Sequence, residues 1–212
     1  MTLRRPRRDL TIEEIVDRAM DIASDEGESG LTMRRLADEC GVTPMALYHH
    51  VADKEALLTA MVDRVVAEAI GDFGAADRDW RTDLVAFACR FRQGFVDHPP
   101  AAQVFLRRPI LSPALARCTE LMFASFARAG LAGPQLAEAT DAVVLLVVGS
   151  ISNDMTRPDD VRFQLADHIP EEDSPHLRSA LDTYSRRDGE QRLRQALDWL
   201  LDGLLAAVGD ER

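Results

Sequence analysis

Apolar side chains recur at helical spacing along most of the chain, and no stretch alternates for long in the two-residue period of a strand. Near the start, Thr11-Ile-Glu-Glu14 reads as a capping box opening a helix whose inner stripe is Ile12, Ile15, Val16, Ala19 and Ala23. Gly27 and Gly30 then turn the chain into Thr32. Met33, Leu36, Ala37 and Cys40 fall at i, i+3, i+4 and i+7, and Gly41 ends that run in the left-handed conformation that glycine adopts without a Cβ clash. A second short helix opens at Thr43-Pro44, a good N-cap followed by a residue whose missing N–H would be unpaired there anyway. Asp53 predicts the cap of the next helix, with Lys54 at its first position and Leu57, Leu58, Met61, Val65 and Val66 inside.

Two short helices joined by a tight glycine turn are a helix-turn-helix, and with the helix before and the start of the one after they make a small DNA-binding head. With Leu47 and Val51 turned inward, the second motif helix exposes Pro44, Met45, Ala46, Tyr48, His49 and His50. That face is small, aromatic and mildly basic, which suits a DNA major groove.

After a linker of small and acidic residues, 71–79, helical periods continue at about 80–97, 100–107, 113–129, 134–153, 175–186 and 189–208, while 155–175 reads as a loop with six acids and three prolines. The expected fold class is all-α: a head over residues 1–70 and a larger helical domain over 71–212. Two of its helices are too apolar for one packing surface. Ala142-Val-Val-Leu-Leu-Val-Val148 is apolar all round, and Leu193, Ala196, Leu197, Leu200, Leu201, Leu204, Leu205 and Val208 make a broad stripe. A four-helix bundle formed with the copies in a second chain would bury both, and an unusually apolar core of a single chain is the alternative. Val144, Val148, Gly149, Leu197, Leu200, Leu201 and Leu204 are therefore the expected dimerisation residues, with Gly149 and Gly203 allowing close approach. Six of the eight phenylalanines lie between 87 and 126. Phe87, Phe91 and Phe95 share one helix face, and Phe105, Phe123 and Phe126 follow with Met122 nearby; ordinary core and the wall of an apolar pocket are both open readings.

Residues Leu31–Leu58 resemble the amino-terminal domain of the tetracycline-repressor (TetR) family of bacterial transcription regulators, above all in Gly41-Val42, Leu47-Tyr48-His49-His50-Val51 and Asp53-Lys54-Glu55-Ala56-Leu57-Leu58. The resemblance is strong over about residues 10–66 and looser beyond. Many family members have Phe where this chain has Val51, and the form present here leans toward the tetracycline-repressor branch. It implies a homodimer that represses by occupying a palindromic double-stranded operator and is released by a small-molecule effector bound among the phenylalanines. It also implies that Arg34, Thr43, Pro44, Met45, Ala46, Tyr48, His49, His50 and Lys54 face DNA. In chemical terms, Arg34 would fork onto a guanine edge or a phosphate, Met45 and Ala46 would touch thymine methyls, and Tyr48, His50 and Lys54 would hold phosphates. Tetracycline-sensing members place His, Asn and His where this chain has Ile70, Phe87 and Phe105, so the expected effector is apolar or aromatic, not a magnesium chelate. His98, Gln103 and Asn153 could supply a few polar contacts to it, and satisfied surface or helix-end residues are the other reading of each. A regulator answering to a partner protein, or to nothing, is the alternative.

Charge and chemistry narrow this further. The formal net charge is −11, so no broad basic surface holds nucleic acid, and binding must rest on a local patch. Arg4, Arg5, Arg7 and Arg8, with no acid among them, are candidates for an arm that tracks phosphates or enters a minor groove. Lys54 is the sole lysine against 24 arginines. There is no nucleophile elbow, HExxH, P-loop or supported carboxylate pair, and the adjacent His49 and His50 point apart on a helix, so neither enzyme, cofactor nor metal is expected. Cys40, Cys89 and Cys118 lack metal spacing and suit a reducing cytosol. No signal peptide is recognisable and the longest uncharged apolar run, Ala142–Asn153, is 12 residues, so a cytoplasmic protein without a membrane span is expected.

Overall fold

The computed structural model describes residues 10–75, 78–156, 165–186 and 188–210, and among these every regular element is a helix. In chain order they are α1 (Ile12–Gly30), α2 (Met33–Cys40), α3 (Pro44–Tyr48), α4 (Lys54–Ile70), α5 (Trp80–Asp97), α6 (Pro99–Arg107), α7 (Pro113–Arg128), α8 (Pro134–Thr156), α9 (Pro175–Arg186) and α10 (Gly189–Asp210). Two short 3-10 turns, Leu165–His168 and Glu171–Asp173, interrupt what the sequence presents as loop. The arginines at 4, 5, 7 and 8 lie outside the described residues.

The helices pack as two compact units, one running through Ala67 and including His98–Leu115, the other formed by Glu68–Asp97 and the chain from Ala116 onward. The sequence boundary at residue 70 falls near the first division, but α6 packs with α1 within the first unit. Polar ties explain this. Arg107 pairs with Glu28 at 3.1 Å, Arg108 donates to Glu55 O and Thr59 Oγ1 at 3.2 Å each, and the Ala114 N–H donates to Asp63 Oδ1 at 3.0 Å. None of these pairs has a local sequence signature.

Within the first unit, α1 starts on its capping box: Glu14 N–H donates to Thr11 Oγ1 at 3.2 Å, and Thr11 N–H donates to Glu14 Oε2 at 3.3 Å. Ile15, Val16, Ala19, Ile22 and Ala23 form its buried stripe. Gly27, at φ 73°, breaks the helix before α2.

In the second unit α5, α8 and α10 pack against one another. Asp79 caps α5, accepting from Thr82 N–H at 2.8 Å and Thr82 Oγ1 at 2.7 Å, and these bonds hold its carboxyl below the usual range. The core contains one charged knot. Arg92 on α5 is buried and meets Asp154 on α8 through Nε at 2.8 Å and Nη2 at 2.7 Å, with Arg192 of α10 at 3.7 Å from the other oxygen. The first residue of α10 is Gly189, where an added Cβ would lie 2.0 Å from Arg92 Nη2. Glycine there lets the guanidinium reach its carboxylate.

Candidate functional site

Local chemistry holds the helix-turn-helix rigidly. Thr32 Oγ1 accepts from Arg35 N–H at 3.1 Å to cap α2, and Leu36 and Ala37 are fully buried. Gly41, at φ 67°, closes α2: its N–H donates to Asp38 O at 3.2 Å, and Val42 N–H donates to Ala37 O at 3.0 Å. Thr43 Oγ1 accepts from Ala46 N–H at 3.3 Å with Pro44 in the first turn, so α3 starts abruptly. Leu47 and Val51 are buried, which fixes the rotation of α3 about its axis.

That rotation turns one set of side chains outward. Met45 is 68% exposed and Tyr48 46%, large values for such residues. Arg34, Thr43, Pro44, His49 and His50 are exposed as well, while Ala46 is half-buried. Arg34, Tyr48, His49 and His50 have no polar side-chain partner among the described residues. The neighbouring Arg35 is the opposite case, bound to Glu39 at 2.6 Å and Glu26 at 3.3 Å. Lys54 differs from its expected role. It begins α4, which Asp53 Oδ1 caps by accepting from Ala56 N–H at 2.7 Å, but its Nζ donates to Glu28 O at 3.0 Å and is half-buried. Lys54 therefore ties α4 to the segment after the Gly27 break, with two ammonium protons remaining for other acceptors.

Cys40 stands beside the turn, in a cleft of about 420 Å³ that Glu14, Asp17, Arg18 and Glu39 also line. Burial pushes its thiol up, against the lowering pull of Arg18, which makes it a poor thiolate source.

The phenylalanines divide. Phe87, Phe91 and Phe95 are buried and form a column on α5, with centroids 5.8 Å and then 5.1 Å apart. Phe73, from the turn after α4, extends it by stacking on Phe87 at 4.3 Å with the rings 6° from parallel. Phe126 is buried against Trp80 at 6.3 Å, and Met122 is buried on the same helix. Phe123 is half-buried, and Phe105 belongs to α6 in the other unit. Gln103 accepts from Arg107 at 3.4 Å.

The expected dimerisation residues also separate into two groups. Leu197 and Leu201 are fully buried, together with Leu193, so they are core of this chain and offer no surface to a second one. On α8 the core face is Ala139, Thr140, Val143, Val147 and Ile151. Val144 and Gly149 are exposed, and Val148, Leu200 and Leu204 half-buried. Leu145 at 74% and Trp199 at 69% exposure are the most exposed large apolar side chains on these helices; Leu145 lies in the apolar run of α8, while Trp199 falls outside the leucine stripe of α10. With two acids tolerated, α8 has the length and a mean hydropathy of 1.4 over 18 residues that would allow a membrane crossing, beyond the 12-residue uncharged run. Its core face packs on α5 and α10 instead.

Comparison with known proteins follows the same division. A family model described as bacterial regulatory proteins, tetR family, matches residues 10–61, and one described as tetracyclin repressor-like, C-terminal domain, matches residues 73–208. An HTH-type transcriptional regulator of Saccharopolyspora erythraea is 32% identical over 209 residues, spanning 95% of this chain and 87% of that one. The class A tetracycline repressor from transposon 1721 of Escherichia coli is 29% identical over 194 residues, 90% of this chain and 88% of the repressor. Among solved structures, apo ActR from Streptomyces coelicolor matches with a TM-score of 0.82 at 25% identity, covering 98% of this chain and 100% of ActR.

Proposed function

This chain belongs to the TetR family of bacterial transcription regulators, and on that premise we propose that it is a cytoplasmic repressor that binds a palindromic operator as a two-fold dimer. The observation carrying this reading is the outward set on α2 and α3. Among the described residues, Arg34 on α2, Tyr48 on α3 and His49 and His50 in the turn that follows α3 have no polar side-chain partner, and exposed Met45 is on α3, where the buried Leu36, Ala37 and Leu47 fix the rotation of the two helices. Unpaired donors beside an apolar contact are what readout of base edges and phosphates needs. Thr43 and Pro44 set the helix start, and Ala46 leaves room for backbone approach. Lys54 acts partly through its bond to Glu28 O, which positions α4, and partly through its remaining protons. The exposed Val144, Leu145 and Trp199, with Gly149 and the half-buried Val148, Leu200 and Leu204, form the face that meets a second chain.

The effector is a largely apolar or aromatic molecule other than magnesium–tetracycline. Support comes from the side chains available: Phe87, Phe91, Phe95, Met122, Phe123 and Phe126 offer π-faces and a thioether and no metal-binding imidazole. ActR, whose fold this chain shares, has been solved with actinorhodin bound. Because the column rings touch and are buried, the molecule must part them to enter, so binding and rearrangement are one event.

Selecting bound duplexes from a random pool and then scanning compounds for release tests both halves. A palindrome released by aromatic compounds, and not by tetracycline with magnesium, is expected. A non-palindromic selected site would overturn the dimer reading, and release by micromolar magnesium–tetracycline would overturn the effector reading.

A further inference from the structure

We propose that Phe73 is a positioning residue that couples the packing of the α5 aromatic column to the carboxyl end of α4 and so to DNA affinity, an inference that rests on the repressor reading. Turns between helices normally keep their side chains in water. The turn after α4 does the reverse. Phe73 is 4% exposed although it lies between Gly71 and Gly74, and its ring lies flat on Phe87.

Four further contacts hold this turn, two of them from α5. Phe73 N–H donates to Ile70 O at 2.8 Å, continuing the end of α4. Arg90 Nε donates to Ala69 O at 3.2 Å, satisfying a carbonyl that the helix end leaves free. Gly74 N–H donates to Asp83 Oδ2 at 2.7 Å. Gly74, at φ 88°, also comes so near α7 that an added Cβ would lie 2.8 Å from Leu121 Cδ2. Asp83 is itself buried, and its other oxygen has no hydrogen bond, with Arg78 Nη1 at 3.6 Å. A buried carboxylate half-satisfied in this way is costly, and the cost is tolerated only while the turn stays docked.

Phe73 is therefore the terminal ring of a continuous column, Phe73–Phe87–Phe91–Phe95. Close-packed rings move in discrete steps, so a molecule parting the column at Phe91 or Phe95 displaces Phe87, and Phe73 follows or loses its stack. The same turn carries the last residues of α4, the helix that begins at Lys54 in the DNA-binding head. Within this mechanism the packed column is the DNA-binding form.

The test measures affinity for the selected operator duplex in full-length wild type, Phe73→Leu, Phe73→Ala and Phe87→Ala, with benzene as the probe, since a dry apolar cavity of ring size takes up benzene. Circular dichroism confirms folding, and Ile151→Ala, a fully buried change on α8, is the control for general destabilisation. Expected are a loss of about five-fold or more in Phe73→Ala and Phe87→Ala, a smaller loss in Phe73→Leu, and recovery of Phe87→Ala on adding benzene. Ile151→Ala should lower the melting temperature and leave the affinity of the folded protein unchanged. Folded Phe73→Ala or Phe73→Leu binding as wild type, with Phe87→Ala indifferent to benzene, overturns the coupling role while leaving the repressor reading intact. Should a Phe73 variant fail to fold, Phe87→Ala with and without benzene decides alone: no recovery overturns the proposal. Wild type that selects no duplex overturns the repressor reading and this inference with it.

Discussion

Replacing Trp199 by alanine should weaken the dimer by a calculable amount. In the single chain Trp199 is 69% exposed. A tryptophan buries roughly 150–250 Å², so covering that fraction removes about 140 Å² from water. At ~25 cal/mol per Å² this is about 3.5 kcal/mol per copy, and a two-fold interface counts it twice. Incomplete burial and the entropy of ordering interface side chains reduce the sum, so we predict that about half is realised, some 3–4 kcal/mol for the dimer. That corresponds to roughly a 300-fold rise in the dissociation constant. Adding Leu145→Ala, at 74% exposure, should leave a monomer at micromolar concentration. Analytical ultracentrifugation over a dilution series reads the equilibrium directly, and circular dichroism checks that the helices persist. Leu197→Ala and Leu201→Ala give the contrast. Both side chains are core, so each should cost about 2–5 kcal/mol of folding stability. A Trp199→Ala, Leu145→Ala double variant that stays dimeric at nanomolar concentration would refute the assignment of this face.

Other consequences are narrower. Asp154→Ala strands the buried Arg92 guanidinium beside Arg192 and should cost about 3–5 kcal/mol, read as a lowered urea midpoint with unchanged slope; a change below 1 kcal/mol would mean that water satisfies both cations. Burial pushes the Cys118 thiol from the ordinary 9.0 up to about 12. Above pH 9 the unfolded chain therefore loses this proton while the folded chain keeps it, so stability declines as pH rises from 9 toward 12 and is unaffected below 9. Cys118→Ala should flatten that decline in urea titrations, and an identical pH slope in both proteins would contradict it. Gly41→Ala meets no atom within 4 Å, so its cost is conformational alone, about 1–2 kcal/mol from the left-handed backbone, and thermal melts should show it. Lys54→Ala should lower the stability of the head and also reduce the salt dependence of operator binding; a salt slope equal to wild type would leave Lys54 only its bond to Glu28 O.

What was legible in the sequence was local. Thr11 with Glu14, Thr43 with Pro44, Gly41 and Asp53 announce caps and a turn through residues within four positions of each other, and the structure has each of them. The helices beyond residue 80 followed equally from their period. What stayed hidden involves distant partners. Arg92 and Asp154 are 62 residues apart, and nothing near either residue signals the pair. Phe73 is one aromatic in a linker of small residues, and only the approach of α5 makes it core. The apolar stripe of α10 could not be divided by period alone, because Leu197 and Leu201 face α5 and α8 while Trp199 faces outward. Lys54 at a helix start has the signature of a phosphate ligand, yet the Glu28 carbonyl, 26 residues earlier, holds it.

The central claim is that two heads read one palindrome together, and changing the spacing between half-sites tests it most directly. Inserting about 5 bp at the centre of the selected operator turns one half-site to the opposite face of the duplex. Affinity should fall to that of a duplex carrying a single half-site, and the complex should change from two chains per duplex to one. An unchanged affinity and stoichiometry after the insertion would contradict the account.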